Sequence, residues 1–224
     1  DLVTQADFES QSVIRDFLAG EFPQHNFVGE ESLSETESQS ASDFCWIVDP
    51  LDGTTNFVHQ LRSFAVSVAL YENRTALVGT VFDPVLDECY SAAQGQGATL
   101  NGQSIRTSGC RKLEKSLFVF SFPSGTKRDD PDVMRFLNLL ENAGTIRRLG
   151  SAALNLCYIA CGRIDGYWAT SLAKWDVAAG WLIATEAGAT LGDFAGDELD
   201  LEKPRFCITA TPELFTQVRP LLDV

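Results

Sequence analysis

A short apolar segment that runs into paired carboxylates constrains the fold of this chain more than any other feature. Residues 44–48, Phe-Cys-Trp-Ile-Val, are typical of a buried β-strand, and Asp49 and Pro50 follow at once. Because proline cannot donate to a sheet ladder, we expect the strand to end there and residues 49–56 to form a loop. This loop carries a second carboxylate, Asp52, before a Gly-Thr-Thr sequence.

The loop has the donors that a hard divalent cation requires. Mg²⁺ binds oxygen atoms, usually from one or two carboxylates, water and substrate phosphate. Asp49, Asp52 and a backbone carbonyl between them can supply such oxygens. The following Gly53 and Thr54 can begin a helix whose free N–H groups face a phosphate. The alternative is a turn in which both aspartates only cap backbone groups.

The pattern of apolar residues divides the chain into two differently organised halves. In the first, a helix within residues 1–20 is followed by a polar run at 32–43, which we interpret as an exposed loop or a short helix. Strands at 64–71, 76–82 and 88–92 then predict an antiparallel meander.

The second half alternates helices and strands. The pattern predicts strands at 116–122, 165–169 and 206–210, with helices at 131–142, 151–161, 176–187 and 212–222. We therefore expect an α/β fold of two sheet-and-helix halves, residues 1–115 and 116–224, tightly joined as one globular unit.

Composition limits the partners of the protein. A formal net charge of −14 argues against nucleic acid or an anionic membrane as the main partner. No segment has the roughly 18 uninterrupted apolar residues of a membrane span, and residues 1–20 lack the order of a secretory signal. We expect a cytoplasmic protein. Acidity does not exclude an anionic substrate, because bound divalent cations reverse the local field.

The sequence gives less support to a site based on histidine, on a serine nucleophile or on cysteine. The histidines, His25 and His59, are too few and too far apart for a histidine-based site, and no Gly-x-Ser-x-Gly elbow is present. Cys157 and Cys161 share one face of a predicted apolar helix; we interpret them as core residues, since a metal site needs further ligands nearby.

The sequence from Asp49 to Phe57, Asp-Pro-Leu-Asp-Gly-Thr-Thr-Asn-Phe, resembles the signature of the inositol monophosphatase family. The resemblance extends to further motifs in matching order along almost the whole chain: Asp1-Leu2-Val3-Thr4 with Asp7, Gly29-Glu30-Glu31-Ser32, Trp175-Asp176-Val177-Ala178-Ala179-Gly180 and Glu186-Ala187-Gly188. It implies an αβαβα sandwich, a homodimer and a lithium-sensitive phosphatase with two or three Mg²⁺ ions. It also implies a leading helical segment, which the printed sequence does not include.

The resemblance implies a set of metal ligands. Glu30, Asp49, the carbonyl of Leu51, Asp52 and Asp176 would hold the ions, with Asp49 bridging two of them. Asp176 has an alternative role as a helix N-cap, and Glu30 alone would pass as one more charge in a charged loop.

The resemblance also implies the catalytic roles. Glu30 and Thr54 would position and activate a water molecule whose pKa the ions lower, and the N–H groups of Gly53 and Thr54 would stabilise the phosphoryl oxygens. Asp7 would belong to the shell of a third ion, or be a plain acid at a helix start.

Substrate contacts follow from the same likeness. Gly150 and Ser151 would contact the alcohol portion of the substrate together with Asp52 and Asp176, although Gly150 could instead only permit close helix packing. Inositol-hydrolysing members carry an acid where this chain has Ala169, so a contact to ring hydroxyls is lost. Lys174 would add positive charge near the substrate, or remain a solvated surface lysine.

These observations favour a Mg²⁺-dependent hydrolase of a small phosphorylated metabolite. Candidate substrates are, in declining order, inositol phosphate, histidinol phosphate, fructose bisphosphate and nucleotide-type phosphates. The alternative is a non-catalytic regulator that binds a phosphorylated ligand or a protein partner.

Overall fold

Six α-helices and twelve strands form the described part of this computed structural model, residues 2–31, 42–194 and 199–224. The helices are α1 (Gln5–Glu21), α2 (Thr54–Val58), α3 (Pro131–Asn142), α4 (Ala152–Ala160), α5 (Lys174–Glu186) and α6 (Pro212–Leu222). The strands are β1 (Asn26–Gly29), β2 (Phe44–Asp52), β3 (Ala65–Glu72), β4 (Thr75–Asp83), β5 (Glu88–Ala93), β6 (Ala98–Leu100), β7 (Gln103–Ser104), β8 (Leu117–Ser121), β9 (Thr145–Arg147), β10 (Gly166–Ala169), β11 (Thr190–Gly192) and β12 (Phe206–Thr209). Within these ranges, no helix has the length and apolarity to cross a bilayer.

The first sheet has seven strands in chain order, β1 to β7. Strands β2 to β7 are antiparallel neighbours, which confirms the predicted meander, and β1 is parallel to β2. The predicted loop or short helix at 32–43 falls mainly on residues 32–41, which lie outside the described residues, as do Asp1 and Ser32 of the family motifs.

Strand β2 does not end at Asp49 as predicted. It continues to Asp52, and Asp49 pairs with Ser67 while Asp52 pairs with Ala65. Asp52 is three residues after Asp49 on β2, whereas their partners on β3 are only two residues apart. The extra residue on β2 defines a β-bulge. Pro50 lies inside the bulge, where the ladder requires no N–H donor. The loop predicted for 49–56 is thus the end of a strand followed by helix α2.

The second sheet has five strands in the order β11-β12-β10-β8-β9. Strands β8, β9 and β10 are parallel to one another, whereas β12 is antiparallel to both of its neighbours. All its strands lie between Leu117 and Thr209, and all strands of the seven-stranded sheet lie between Asn26 and Ser104. A division of the chain near residue 115 into two halves stays a prediction.

Helices separate and cover the two sheets. Helices α4 and α5 are apolar nearly all round and buried, as expected of helices enclosed on both sides. Helix α5 packs on β3 and β4 of one sheet, α4 contacts β10 of the other, α1 lies against β2, and α3 and α6 contact β9 and β12. The resulting αβαβα order of layers confirms the expected fold class.

Five short strands were not predicted: β1, β6, β7, β9 and β11. Each has two to four residues and is partly exposed, so it lacks the run of alternating apolar residues that marks a strand. Helix α5 begins at Lys174, two residues before the predicted start, because Asp176 occupies its first turn rather than its N-cap.

Candidate metal centre

The bulge in β2 turns two carboxylates to the same face of the seven-stranded sheet. Ser67 and Ala65 are two residues apart on β3 and so share a face, and their partners Asp49 and Asp52 therefore share it as well. Asp49 is 1% and Asp52 is 6% exposed. In a regular strand, residues three apart face opposite sides of the sheet, so it is the bulge that brings the two carboxylates to one face.

Asp176 completes a cluster of three acids. Carboxylate oxygens of Asp49, Asp52 and Asp176 all lie within 4.8 Å of one another, and no other cluster of three or more acidic, histidine or cysteine side chains forms in the described ranges. Asp176 also accepts a hydrogen bond from the Ala173 N–H at 2.7 Å. Asp176 therefore provides an acceptor for a backbone N–H at the start of α5 and also faces the other two acids.

Asp52 is held by the start of α4. Its carboxylate accepts hydrogen bonds from the Ser151 hydroxyl, from the Ala152 N–H at 3.1 Å and from the Ala153 N–H at 2.8 Å. Four N–H groups at a helix start lack intrahelical partners, and a carboxylate is their best acceptor. The Ser151 hydroxyl, predicted to contact substrate, is thus engaged with Asp52.

Strand β1 brings Glu30 beside these acids. Gly29 pairs with Val48, and the Glu30 N–H donates to the Val48 carbonyl at 3.2 Å, directly before Asp49. Helix α1 supports this position, because the Gln11 side chain accepts the Glu31 N–H at 3.0 Å. Four of the five predicted ligand residues therefore present carboxylates to one region.

The acidic cluster changes the pKa values of its members. Burial, followed by the charges of Asp52, Glu30 and Asp176, raises the pKa of Asp49 well above its usual range. Burial and neighbouring acids raise the pKa of Glu30 and of Asp176 to about 7. Burial also raises the pKa of Asp52, although the hydrogen bonds from α4 oppose the effect. Carboxylates crowded in this way can all be ionised at once only if cations offset their mutual repulsion.

Thr54 connects the centre to α1. Its hydroxyl lies 3.0 Å from the Leu51 carbonyl and 3.1 Å from the Asp7 carboxylate, two acceptors for one proton. Asp7 is fully buried and accepts from the N–H and the hydroxyl of Thr4, which completes a capping box. Asp7 is therefore a helix-start acid that also contacts Thr54.

Two glycines allow the loops of the centre to approach closely. Gly53 has φ +92°, and a Cβ there would lie 2.9 Å from the Ser63 carbonyl. Gly150 has φ +85°, and its Cβ would lie 2.8 Å from the Asn56 amide. Asn56 donates to the carbonyls of Ser63 and Leu149 and so joins α2 to the loop before α4. Close packing at Gly150 is thus present in the structure.

Other candidates from the sequence lie apart from the acids. Lys174 pairs with Glu202 at 3.0 Å and lines a cavity of about 440 Å³ together with Cys45 and Tyr71. His25 stacks between the rings of Phe22 and Phe44 as a packing residue. Cys157 is buried in the apolar core, and Cys161 packs against it.

Comparison with known proteins agrees with this geometry. A profile of the Inositol monophosphatase family matches residues 1–223. The chain belongs to the inositol monophosphatase family. Inositol monophosphatase 1 of Solanum lycopersicum is 41% identical over 215 residues, 93% of this chain and 78% of the relative. Nus factor SuhB of Escherichia coli strain K12 is 41% identical over 197 residues, 88% of this chain and 73% of the relative.

Solved members of the inositol monophosphatase family share the fold. Inositol monophosphatase from Anabaena (Nostoc) sp. PCC 7120 has a TM-score of 0.89 at 37% identity, over 98% of this chain and 86% of its own. An IMPase/NADP phosphatase complexed with Mg²⁺ and phosphate has a TM-score of 0.88 at 26% identity, over 100% and 83%. A Staphylococcal inositol monophosphatase-1 in a LiCl-soaked inhibitory complex has a TM-score of 0.87 at 27% identity, over 100% and 82%.

Proposed function

We propose that this protein hydrolyses a small phosphate monoester in a Mg²⁺-dependent reaction. The observation that carries the proposal is the convergence of Asp49, Asp52 and Asp176 within 4.8 Å, with Glu30 beside them. A structural role does not require so many acids in one buried place, because each raises the pKa of the others. The Mg²⁺ and phosphate complex of a relative supports the same cofactor and substrate class.

The donor set fits magnesium. All candidate ligands are oxygen atoms: the carboxylates of Glu30, Asp49, Asp52 and Asp176 and the carbonyl of Leu51. These groups, Asp49 among them, would hold two or three ions. When bound, the ions would neutralise the phosphate and lower the pKa of a water molecule.

The protein's own residues would orient the reaction. Glu30 would accept a proton from the attacking water, because its carboxylate lies beside Asp49 and bound cations would keep it ionised. The Thr54 hydroxyl would align that water while Asp7 and the Leu51 carbonyl limit its rotation. The N–H groups of Gly53 and Thr54 at the start of α2 would stabilise the phosphoryl oxygens.

Substrate binding would involve the loop before α4. Gly150, Ser151, Asp52 and Asp176 would contact the alcohol portion of the substrate. Because the Ser151 hydroxyl donates to Asp52 and accepts the Leu154 N–H at 3.2 Å, its role would be to fix that carboxylate for the substrate.

A panel assay tests the proposal directly. We expect the purified protein to release phosphate from small monoesters with Mg²⁺ and to lose this activity with EDTA. Asp49→Asn should lower kcat by about a thousandfold or more while far-UV circular dichroism stays unchanged. Asp87→Asn, the same change at an exposed turn, is the matched control. Unchanged turnover in Asp49→Asn would remove Asp49 from the mechanism.

A second candidate is a non-catalytic protein that binds a phosphorylated ligand or a protein partner. The relatives named Nus factor SuhB favour it, since that name describes no hydrolysis. If the panel shows ligand binding but no turnover with Mg²⁺, this candidate replaces the enzyme. We also infer a homodimer, a cytoplasmic location and inhibition by Li⁺, the last supported by the LiCl complex of the Staphylococcal relative.

A further inference from the structure

The position of Asp176 depends on the connection between β10 and α5, residues 170–173, which we call the β10–α5 turn. Strand β10 ends at Ala169, and α5 begins at Lys174, two residues before Asp176. At the end of the turn, the Ala173 N–H donates to the Asp176 carboxylate at 2.7 Å. A displacement of the turn would therefore move the start of α5, and Asp176 with it.

The β10–α5 turn contains one residue in an unfavourable backbone conformation. Ser171 has φ +50°, in the left-handed region, where a side chain is strained and glycine is favoured. Such a conformation persists only where the surrounding contacts hold it. The turn therefore has to be fixed on both sides of Ser171. Asp176 holds it on one side through Ala173, and Thr170 is the neighbour on the other.

Thr170 is bound through its backbone and its side chain. Its N–H donates to the Ser121 carbonyl at 3.4 Å, which continues the pairing of β10 with β8. Its hydroxyl donates to Asp132 Oδ2 at 2.5 Å, in the first turn of α3. Thr170 is 9% and Asp132 is 8% exposed. A hydrogen bond to a carboxylate is stronger than one between neutral groups, so Asp132 is the main anchor of the Thr170 side chain.

Asp132 is itself held by an ion pair. Its second oxygen, Oδ1, accepts from the Arg135 guanidinium at 2.8 Å, and the two side chains are only 11% and 13% exposed. Arg135 also donates to the Leu222 carbonyl at 2.8 Å, at the end of α6. Both carboxylate oxygens of Asp132 are thus engaged, one with the turn and one with the pair of outer helices. The roles assigned above involve neither Asp132 nor Thr170.

We propose that Thr170 and Asp132 are positioning residues of the metal centre, which hold Asp176 in place as a metal ligand through the β10–α5 turn. Thr170 acts through the turn, and Asp132 acts through Thr170. Groups that orient metal ligands contribute to metal affinity without binding the ion themselves. This inference rests on the assignment of Asp176 as a ligand in the proposed function and deepens it.

Binding of Mn²⁺ to the metal-free protein, measured by isothermal titration calorimetry, tests the inference without any turnover. Thr170→Val keeps the shape of the side chain and removes its hydroxyl. We expect this change to weaken Mn²⁺ binding roughly tenfold, at the lower end of the effect of groups that orient metal ligands. Thr170→Ser keeps the hydroxyl and should stay within about threefold of the unmodified protein.

Thr211→Val is the matched control. Thr211 is also 9% exposed, and its hydroxyl donates to the Cys110 carbonyl at 2.7 Å, but it caps α6 and does not hold the β10–α5 turn. Both valine variants should lower the urea midpoint, because each loses a hydrogen bond. Only Thr170→Val should lose Mn²⁺ affinity, and Thr211→Val should stay within about twofold. Equal loss of affinity in both variants, or no loss in Thr170→Val, overturns the inference.

A double-mutant cycle assigns the effect to the contact between the two residues. Asp132→Ala should weaken Mn²⁺ binding by a factor similar to that of Thr170→Val. Adding Thr170→Val to Asp132→Ala should then change the Kd by less than about twofold, because the contact is already lost. A full second loss of roughly tenfold would mean that the two residues act separately, which overturns the role of Asp132.

Failure of the inference and failure of the proposed function give different results. If the unmodified protein hydrolyses esters and Thr170→Val binds Mn²⁺ as tightly as it does, the inference is overturned while the phosphatase stands. If the unmodified protein binds Mn²⁺ but hydrolyses no ester, the phosphatase proposal fails, and the calorimetric comparison still decides the inference. If the unmodified protein binds no Mn²⁺, both are overturned.

Discussion

Three carboxylates of the candidate centre also satisfy backbone groups at helix starts. Asp7 caps α1, Asp52 accepts from the first N–H groups of α4, and Asp176 accepts the Ala173 N–H at the start of α5. For Asp7 and Asp176, the sequence left a helix-start role and a metal role as alternatives, and this geometry accommodates both. For Asp52, the partner lies about a hundred residues away, and no local pattern could predict it.

At the scale of single residues, Glu30 and Glu31 give a matched test of the water-activating role assigned to Glu30. Glu30→Gln should lower kcat by about a hundredfold or more, because an amide cannot accept the proton of the attacking water. Glu31→Gln should stay within about twofold of the unmodified protein, since the role is assigned to its neighbour. Steady-state kinetics with a saturating ester and Mg²⁺ measure both. Equal loss in the two variants would contradict a specific role for Glu30.

At the scale of elements, strong periodic segments were predictable and short edge strands were not. The predicted helices at 131–142 and 212–222 coincide with α3 and α6, because their apolar spacing is regular and proline marks each start. The bulge in β2 was not predictable, since it depends on pairing with β3. Because the bulge places Asp49 and Asp52 on one face, the sequence identified the acids without explaining how they meet.

A hairpin anchored by one carboxylate gives a prediction at this scale. Glu186 accepts the N–H groups of Gly95 and Gly97 at 2.7 and 2.8 Å and so ties the turn between β5 and β6 to the end of α5. Glu186→Ala should lower the free energy of unfolding by about 1–3 kcal/mol. Urea denaturation measures the change, and Glu72→Ala at an exposed strand end is the control. An unchanged urea midpoint would show that the anchor contributes nothing.

At the scale of the whole molecule, the candidate metal centre lies where the two sheets meet through their shared helices. Asp49 and Asp52 come from the seven-stranded sheet, and Asp176 from a helix buried between the two sheets. Acids of one sign at this junction oppose each other's ionisation. The stability of the molecule should therefore depend on pH and on divalent cations.

The direction of this pH dependence follows from Glu30 and Asp176. Their pKa values rise from 4.5 and 3.8 to about 7 in the folded protein. Their contribution is complete below about pH 4 and is lost as the pH rises through about 7. Without metal, stability should fall by on the order of 2 kcal/mol over that window, after allowance for solvent screening. Saturating Mg²⁺ should oppose the loss. Urea denaturation at pH 5 and pH 7.5 tests this, and equal metal-free stability would contradict it.

Anomalous scattering from crystals soaked in Mn²⁺, as a substitute for Mg²⁺, tests whether the acidic cluster binds divalent cations. We expect anomalous peaks within coordination distance of the carboxylate oxygens of Glu30, Asp49, Asp52 and Asp176. Crystals of Asp49→Asn should show weaker peaks or none. Peaks confined to other acids on the surface, with none between these four side chains, would contradict a metal centre at this position.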